Sequence, residues 1–172
     1  MRFNFTNSTF ISSVFLNQVE PIASTSFSPD GNLLVAGGIS GDIYSWKMPD
    51  GELSSRLQAH QGNITAVRFS PDGQMLASGA SDGMIKLWHL EPHQCLMALH
   101  GDPISVRTLT FSPDGLLLAS GGGDGCVNLW NAKTGEKLYR FEDHQHRAWV
   151  CSIAFSPDGQ TVASGSIDQT VQ

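Results

Sequence analysis

His60, Ser78 and Asp82 supply the three side chains of a nucleophilic triad: a hydroxyl to attack, an imidazole to take its proton, and a carboxylate to orient the imidazole. The Ser and the Asp recur with the same spacing at Ser120 and Asp124, and again at Ser164 and Asp168. A hydrolase needs one oxyanion hole and one pocket, whereas a bonding set that ties strands together must return with every structural unit. The recurrence therefore favours a structural role. Gly121-Gly122-Gly123-Asp124-Gly125 has the glycine content of a phosphate-cradling loop or a calcium-binding repeat. It aligns with Gly79-Ala80-Ser81-Asp82-Gly83 and runs into a strand where a phosphate loop needs a helix, so it is expected to be a turn that holds no cofactor. Cys95, Cys126 and Cys151 lie far apart without paired spacing. Neither a disulfide framework nor a zinc site is indicated, and the thiols are expected to be buried or half-buried small apolar groups. His144 and His146 lack a third metal ligand nearby.

These side chains are set out by a repeat. Phe-Ser-Pro-Asp-Gly stands at Phe27–Gly31, Phe69–Gly73, Phe111–Gly115 and Phe155–Gly159, at intervals of 42, 42 and 44 residues. Trp46, Trp88 and Trp130 each follow 19 residues after the Phe, and Leu57, Leu99 and Phe141 follow 11 residues after the Trp. A period of this length with one Trp per unit implies a blade of four short strands. In the second unit the strands are expected at Ile64–Phe69, Met75–Ser78, Met84–Trp88 and Cys95–Leu99, the first two joined by a Pro-Asp-Gly turn. The chain then divides into 1–19 and units near 20–57, 58–99, 100–141 and an incomplete 142–172. The expected fold is all-β, about three and a half antiparallel four-stranded blades of a β-propeller. The spacing puts the next Trp two residues past Gln172, so a fragment of a larger propeller is expected.

Eighteen Gly and eight Pro in 172 residues suit many tight turns. The formal net charge of −6 disfavours a nucleic-acid tracker, which needs a basic stripe. No apolar run reaches membrane-spanning or signal-peptide length, so a cytoplasmic protein without membrane partners is expected.

The segment from His60 through Ile64, Val67, the Phe-Ser-Pro-Asp-Gly turn, Leu76-Ala77-Ser78-Gly79, Asp82 and Ile85-Lys86-Leu87-Trp88 resembles a WD repeat of the β-propeller family. The resemblance implies a hydrogen-bonded structural tetrad in each blade: His60, Ser78, Asp82 and Trp88 in the second, Ser120, Asp124 and Trp130 in the third, and Ser164 and Asp168 with His144 or His146 in the fourth. Departures are visible. In the third unit His100 comes two residues early and Asp102 takes the His place. The first unit has Ala36 and Ser40 where Ser and Asp belong and has no His, so it is expected to be held mainly by packing. The Asp that follows Trp in the family signature is replaced by Lys47, His89 and Asn131. Phe5, Phe10 and Phe15 recur every five residues. That stretch resembles the pentapeptide-repeat family, with an N-terminal strand pairing to an open blade edge as the alternative. The order of parts resembles the sensor end of bacterial multidomain proteins in which an NB-ARC or NACHT ATPase module precedes a WD array, although no Walker motif is present.

Recognition on such a scaffold concentrates in loops held by rigid strands. The loops entering the first strands carry Asn63, Arg107, Arg147 and Trp149, and Trp149 alone of the four Trp stands outside the structural position. Trp and Arg together have the composition of an interface anchor. The function expected is a non-enzymatic interaction scaffold or sensor in signalling that takes a protein or peptide partner, as a homodimer or within a longer parent chain. A truncated remnant and a Ser/His/Asp hydrolase are the alternatives.

Overall fold

The structure is a computed structural model that describes residues 20–89, 94–142 and 146–172. The pentapeptide-like or edge-strand segment 1–19 and His144 lie outside the described residues. Strands β1 (Ile22–Phe27), β2 (Leu33–Gly38), β3 (Asp42–Lys47) and β4 (Glu52–Gln58) form the first antiparallel blade in sequence order. The second is β5 (Ile64–Phe69), β6 (Leu76–Ala80), β7 (Met84–His89) and β8 (Gln94–His100). The third is β9 (Val106–Phe111), β10 (Leu117–Gly122), β11 (Val127–Asn131) and β12 (Lys137–Phe141), and β13 (Val150–Phe155) pairs with β14 (Val162–Ser166) in the fourth.

The repeated pentapeptide builds the hairpin between the first two strands of each blade. In the second blade the Ser70 hydroxyl donates to Asp72 at 2.6 Å, Asp72 accepts the Gln74 N–H at 3.0 Å, and Met75 N donates back to Ser70 Oγ at 2.9 Å. Gly73 closes the turn at φ 71°, a left-handed conformation that glycine adopts without steric cost. These bonds favour the charged carboxylate, the Ser hydroxyl first, and hold Asp30, Asp72, Asp114 and Asp158 below the usual carboxylate range. They also explain a boundary shift: Met75, expected to open the second strand, is bonded into the turn, and β6 instead runs on to Ala80, which pairs with Ile64.

The first strands pack side by side, β1 on β5, β5 on β9 and β9 on β13, so the blades fan out as an arc that stays open between β1 and β13. Its cores lie between blades. Val35 and Ile43 meet Ile64, Val67 and Trp88 in one; Ala77, Ile85 and Leu87 meet Val106, Leu109, Leu118 and Trp130 in the next; Ala119 and Val127 meet Val150 and Ile153 in the third. Each fully buried aliphatic side chain contributes about 1.5–3 kcal/mol. The blades approach so closely because a glycine stands at the contact: a Cβ on Gly79 would lie 2.5 Å from Val106 Cγ1, and one on Gly121 2.6 Å from Val150 Cγ1. Thr65 ties the same joint with its hydroxyl, 2.6 Å from the Val106 carbonyl across the blade boundary.

The cysteine expectation needs correcting. Cys126 is buried, but Cys95 and Cys151 are exposed, Cys95 on the outermost strand of its blade and Cys151 on the inner strand at the open end of the arc. None of the three forms a disulfide.

Candidate functional site

The second blade assembles a complete bonded set. Trp88 Nε1 donates to Ser78 Oγ at 2.8 Å, Ser78 Oγ lies 2.8 Å from His60 Nε2, and His60 Nδ1 lies 3.1 Å from Asp82 Oδ2. Burial lowers the pKa of His60 against the opposing pull of Asp82. A neutral ring with its proton on Nδ1 satisfies every partner: it donates to Asp82 and accepts the Ser78 hydroxyl proton. Burial pushes Asp82 up, but the Met84 N–H, His60 and the Gln61 N–H outweigh it and hold the carboxylate low. Strands β6 and β7 and the loops beside β5 and β7 are thereby locked together.

The same geometry excludes nucleophilic attack by Ser78. Its residue is 0 % exposed, and the indole already donates to its oxygen. No carbonyl can approach. Ser78→Ala is expected to cost about 1–2 kcal/mol, since it strands an indole N–H and an imidazole nitrogen in the core. Urea denaturation reads this as a lower midpoint with an unchanged slope.

The fourth blade repeats the set with His146. Its Nε2 lies 2.9 Å from Ser164 Oγ, and its Nδ1 faces Asp168 at 3.1 Å and Thr170 Oγ1 at 2.9 Å. The Thr170 hydroxyl is the largest cause of the depressed Asp168 pKa. An apolar hollow of about 370 Å³ lined by Val127, Phe141, Val162, Ser164 and Gln172 lies where the preceding blades carry Trp88 and Trp130.

The third blade departs from the pattern. Trp130 Nε1 donates to Ser120 Oγ at 2.9 Å, but Asp102 stands in the His place, accepts the N–H groups of Ile104 and Ser105 at 2.7 Å each, and takes the Asp124 N–H at 3.2 Å. His100 remains exposed at the end of β8. Asp124 pairs with Arg140 at 2.8 Å. Burial raises the Asp102 pKa and contact with the Asp124 carboxyl adds to it, against the two N–H donors. A folded-state pKa raised above the unfolded one gives stability that is present in acid and is lost as pH rises through the folded value. Asp102→Asn keeps an acceptor for Ile104 and Ser105 and removes the charge, at the expense of the long bond from Asp124. It is expected to stabilise by about 1 kcal/mol at neutral pH, with the gain shrinking as pH falls through the raised folded-state value and gone once the carboxyl is protonated in both the folded and the unfolded chain. Urea midpoints across pH check this.

The first blade packs Ala36, Tyr44 and Trp46 together and adds a polar set of its own. Glu20 reaches from ahead of β1 to the Ser40 N–H and hydroxyl and to Tyr44 Oη, and Arg56 pairs with Asp42 at 2.6 Å. Position-by-position alignment missed this set because Glu20 stands outside the tetrad positions.

Above these sets lies one loop face. The loops entering β5, β9 and β13 meet the turns after β6, β10 and β14 through Ser81 N to Asn63 O at 2.9 Å, Gly123 N to Ser105 O at 3.0 Å and Ile167 N to Trp149 O at 3.3 Å. On this face Trp149 is 40 % exposed, with the Arg107 guanidinium 3.8 Å from its ring centroid. Arg147 is exposed beside it, its N–H donating to Asp168 at 2.9 Å, and a polar cleft of about 270 Å³ follows along Arg147, Asp168, Thr170 and Gln172. Asn63 stands apart on the second blade's loop. Ile104, three residues before Arg107, and Ile167, whose N–H donates to the Trp149 carbonyl, are both 58 % exposed. The sequence reading overlooked them, although an Ile in a turn between polar neighbours signals an exposed apolar side chain. Among the described residues no cluster of His, Cys, Asp and Glu could hold a metal ion, and no helix is long and apolar enough to cross a membrane.

Three radiating four-stranded antiparallel blades and a two-stranded fourth unit, with a complete buried Trp–Ser–His–Asp set in the second and partial sets in the third and fourth, define a β-propeller arc. The family model "WD domain, G-beta repeat" matches residues 12–47, 51–89, 93–131 and 135–172, and the chain belongs to this family. It is similar to "Protein ROOT INITIATION DEFECTIVE 3" of Arabidopsis thaliana, 43 % identical over 49 residues that make up 28 % of this chain and 11 % of that protein. The chain thus spans about a tenth of that relative's length. The crystal structure of the computationally designed Ika4 protein superposes with a TM-score of 0.81 at 31 % identity over 93 % of both chains. That of the designed Ika8 protein gives 0.77 at 31 % identity over 87 % of this chain and 44 % of its own. Propellers of this family are generally interaction modules that mediate protein–protein contacts.

Proposed function

We propose that this chain is a non-enzymatic scaffold that presents its loop face to a protein or peptide partner, with Trp149 as the anchor. The observation that carries the reading is that Trp149 stands outside the structural Trp positions, half-open to solvent under a stacked Arg107. Large aromatic and Arg side chains dominate interface energetics, and Ile104, Ile167 and Arg147 supply an apolar and cationic surround. The net charge of −6 disfavours a nucleic-acid partner. The resemblance of the part order to bacterial NB-ARC and NACHT proteins extends the proposal to the sensor part of a cytoplasmic signalling protein.

The test is capture from a cytoplasmic extract by immobilised wild-type, Trp149→Ala and Arg147→Ala chains, quantified by mass spectrometry. A protein held by the wild type and depleted about 30-fold or more by Trp149→Ala, the effect of a 2 kcal/mol anchor, supports the reading. Equal retention on folded variants overturns it.

A further inference from the structure

Arg107 stands where another joint between blades is tied by a hydroxyl. Counted from the Phe of the repeated pentapeptide it takes the place of Thr65, which bonds the Val106 carbonyl across the boundary between the second and third blades. Arg107 makes no hydrogen bond across the next boundary among the described residues. Its guanidinium instead lies 3.8 Å from the Trp149 ring centroid, with Nε buried and without a hydrogen-bond partner. Elsewhere the guanidiniums are engaged: Arg56 pairs with Asp42, Arg140 with Asp124, and Arg68 bonds Ser24 Oγ and the Val67 carbonyl. Among the described residues no carboxylate pairs with the Arg107 or Arg147 side chain.

Exposure at this place belongs to the loop face and not to the last unit alone. Asn63 and Gln61, in the places of Trp149 and Arg147, are exposed although a blade stands on either side of them. Pro103, in the third blade, is exposed at the place of Arg147 as well.

A guanidinium held against an indole has given up much of its rotamer freedom before a ligand arrives, and its planar fork of N–H donors matches a group with two oxygens. A half-buried cation with no acceptor has lost water without recovering a bond, and an anion on its terminal nitrogens offsets that loss. The anion is narrowed by what lies beneath. Asp124 and Asp168 belong to the bonded sets under this face, and the chain carries a net charge of −6, so a phosphate dianion meets more repulsion than a single carboxylate. Ile104, Ile167 and Trp149 leave apolar surface around the cation.

We propose that the loop face takes an Asp or Glu side chain of a peptide partner on Arg107, with the apolar residues beside that carboxylate resting on Trp149, Ile104 and Ile167. This rests on the reading of Trp149 as the partner's anchor and adds the charge that the partner carries.

A random peptide library displayed on phage and panned on the immobilised 172-residue chain tests both levels. The expected yield is peptides that Trp149→Ala fails to retain and that share an acidic residue at one position among apolar ones. A synthetic peptide of that consensus is then compared with its Glu→Gln and phosphoserine counterparts by fluorescence polarisation. The wild type should bind the Glu form about 10-fold or more tighter than the Gln form, the effect of one charge-assisted contact. Arg107→Gln, with unchanged circular dichroism, should bind the two alike. The Glu-to-Gln comparison on the wild type stands even if that variant does not fold. Peptides retained through Trp149 with no acidic position, or tighter binding of the phosphoserine form, overturn this proposal and leave the anchor standing. A Glu preference that persists in folded Arg107→Gln overturns the role of Arg107. A library with no Trp149-dependent peptide overturns the anchor and this proposal together.

Discussion

Trp130→Ala is expected to cost about 3–5 kcal/mol, the range for removing a buried Trp from a core. The indole is 4 % exposed, packs in the core between the second and third blades with Ile85, Leu99 and Leu118, and carries Lys137 Nζ 4.6 Å from a ring centroid on its outer side. Its removal opens a hollow bounded by the Ser120 hydroxyl, equivalent to the one of about 370 Å³ beside Ser164 in the fourth blade. The walls belong to two rigid sheets, so they cannot collapse to fill it, and the lost dispersion adds to the lost transfer energy. Against a domain stability of about 5–15 kcal/mol, the variant should unfold at a much lower urea concentration. Trp149→Ala provides the control: that ring packs on Arg107 alone among the described ring contacts and is expected to change stability by less than about 1 kcal/mol. If the two variants lost equal stability, Trp149 would be a core residue and not an anchor.

The polar sets differ from blade to blade, and this limits what the sequence could reveal. Where the repeat is faithful, as at His60, Ser78, Asp82 and Trp88, spacing alone brings together four side chains that span 29 residues, because a fixed strand register converts sequence distance into spatial distance. Where it lapses, the replacement is a local solution. Asp102 is too short to reach Ser120 as His60 reaches Ser78, so its carboxylate turns to the N–H groups of its own loop and to Asp124. Glu20 secures the first blade from a position that no repeat marks. The Trp149 stack was half legible: the odd Trp and both Arg residues stood out, but the contact depends on the pitch between β9 and β13. The Pro-Asp-Gly context marks Gly73 as a turn residue, and its φ is 71°, but nothing in the sequence marks the strand residue Gly79 as a contact residue, which shows only in the Val106 and Leu109 side chains that face it.

Gly79→Val should be the most damaging small substitution, at about 3 kcal/mol, near the top of the range for overpacking. Valine suits a central strand by propensity, so a prediction from β1-to-β14 strand preference alone would call the change neutral or favourable. The joint decides otherwise. Cβ would lie 2.5 Å from Val106 Cγ1 and 3.1 Å from Leu109 Cδ1, and both of those side chains are fixed in the core beneath β9. Relief requires the second and third blades to separate, which would stretch the Thr65 bond to the Val106 carbonyl and open the apolar core on both sides of it. Thermal denaturation should therefore show Gly79→Val melting far below the wild type. Gly165→Val, the same substitution at the matching place in β14 but facing an open slot, should leave the melting of a single chain unmoved. A Gly79→Val chain as stable as the wild type would show that the blades are held further apart than these contacts state, and the close approach of glycine to aliphatic side chain would no longer account for the arc.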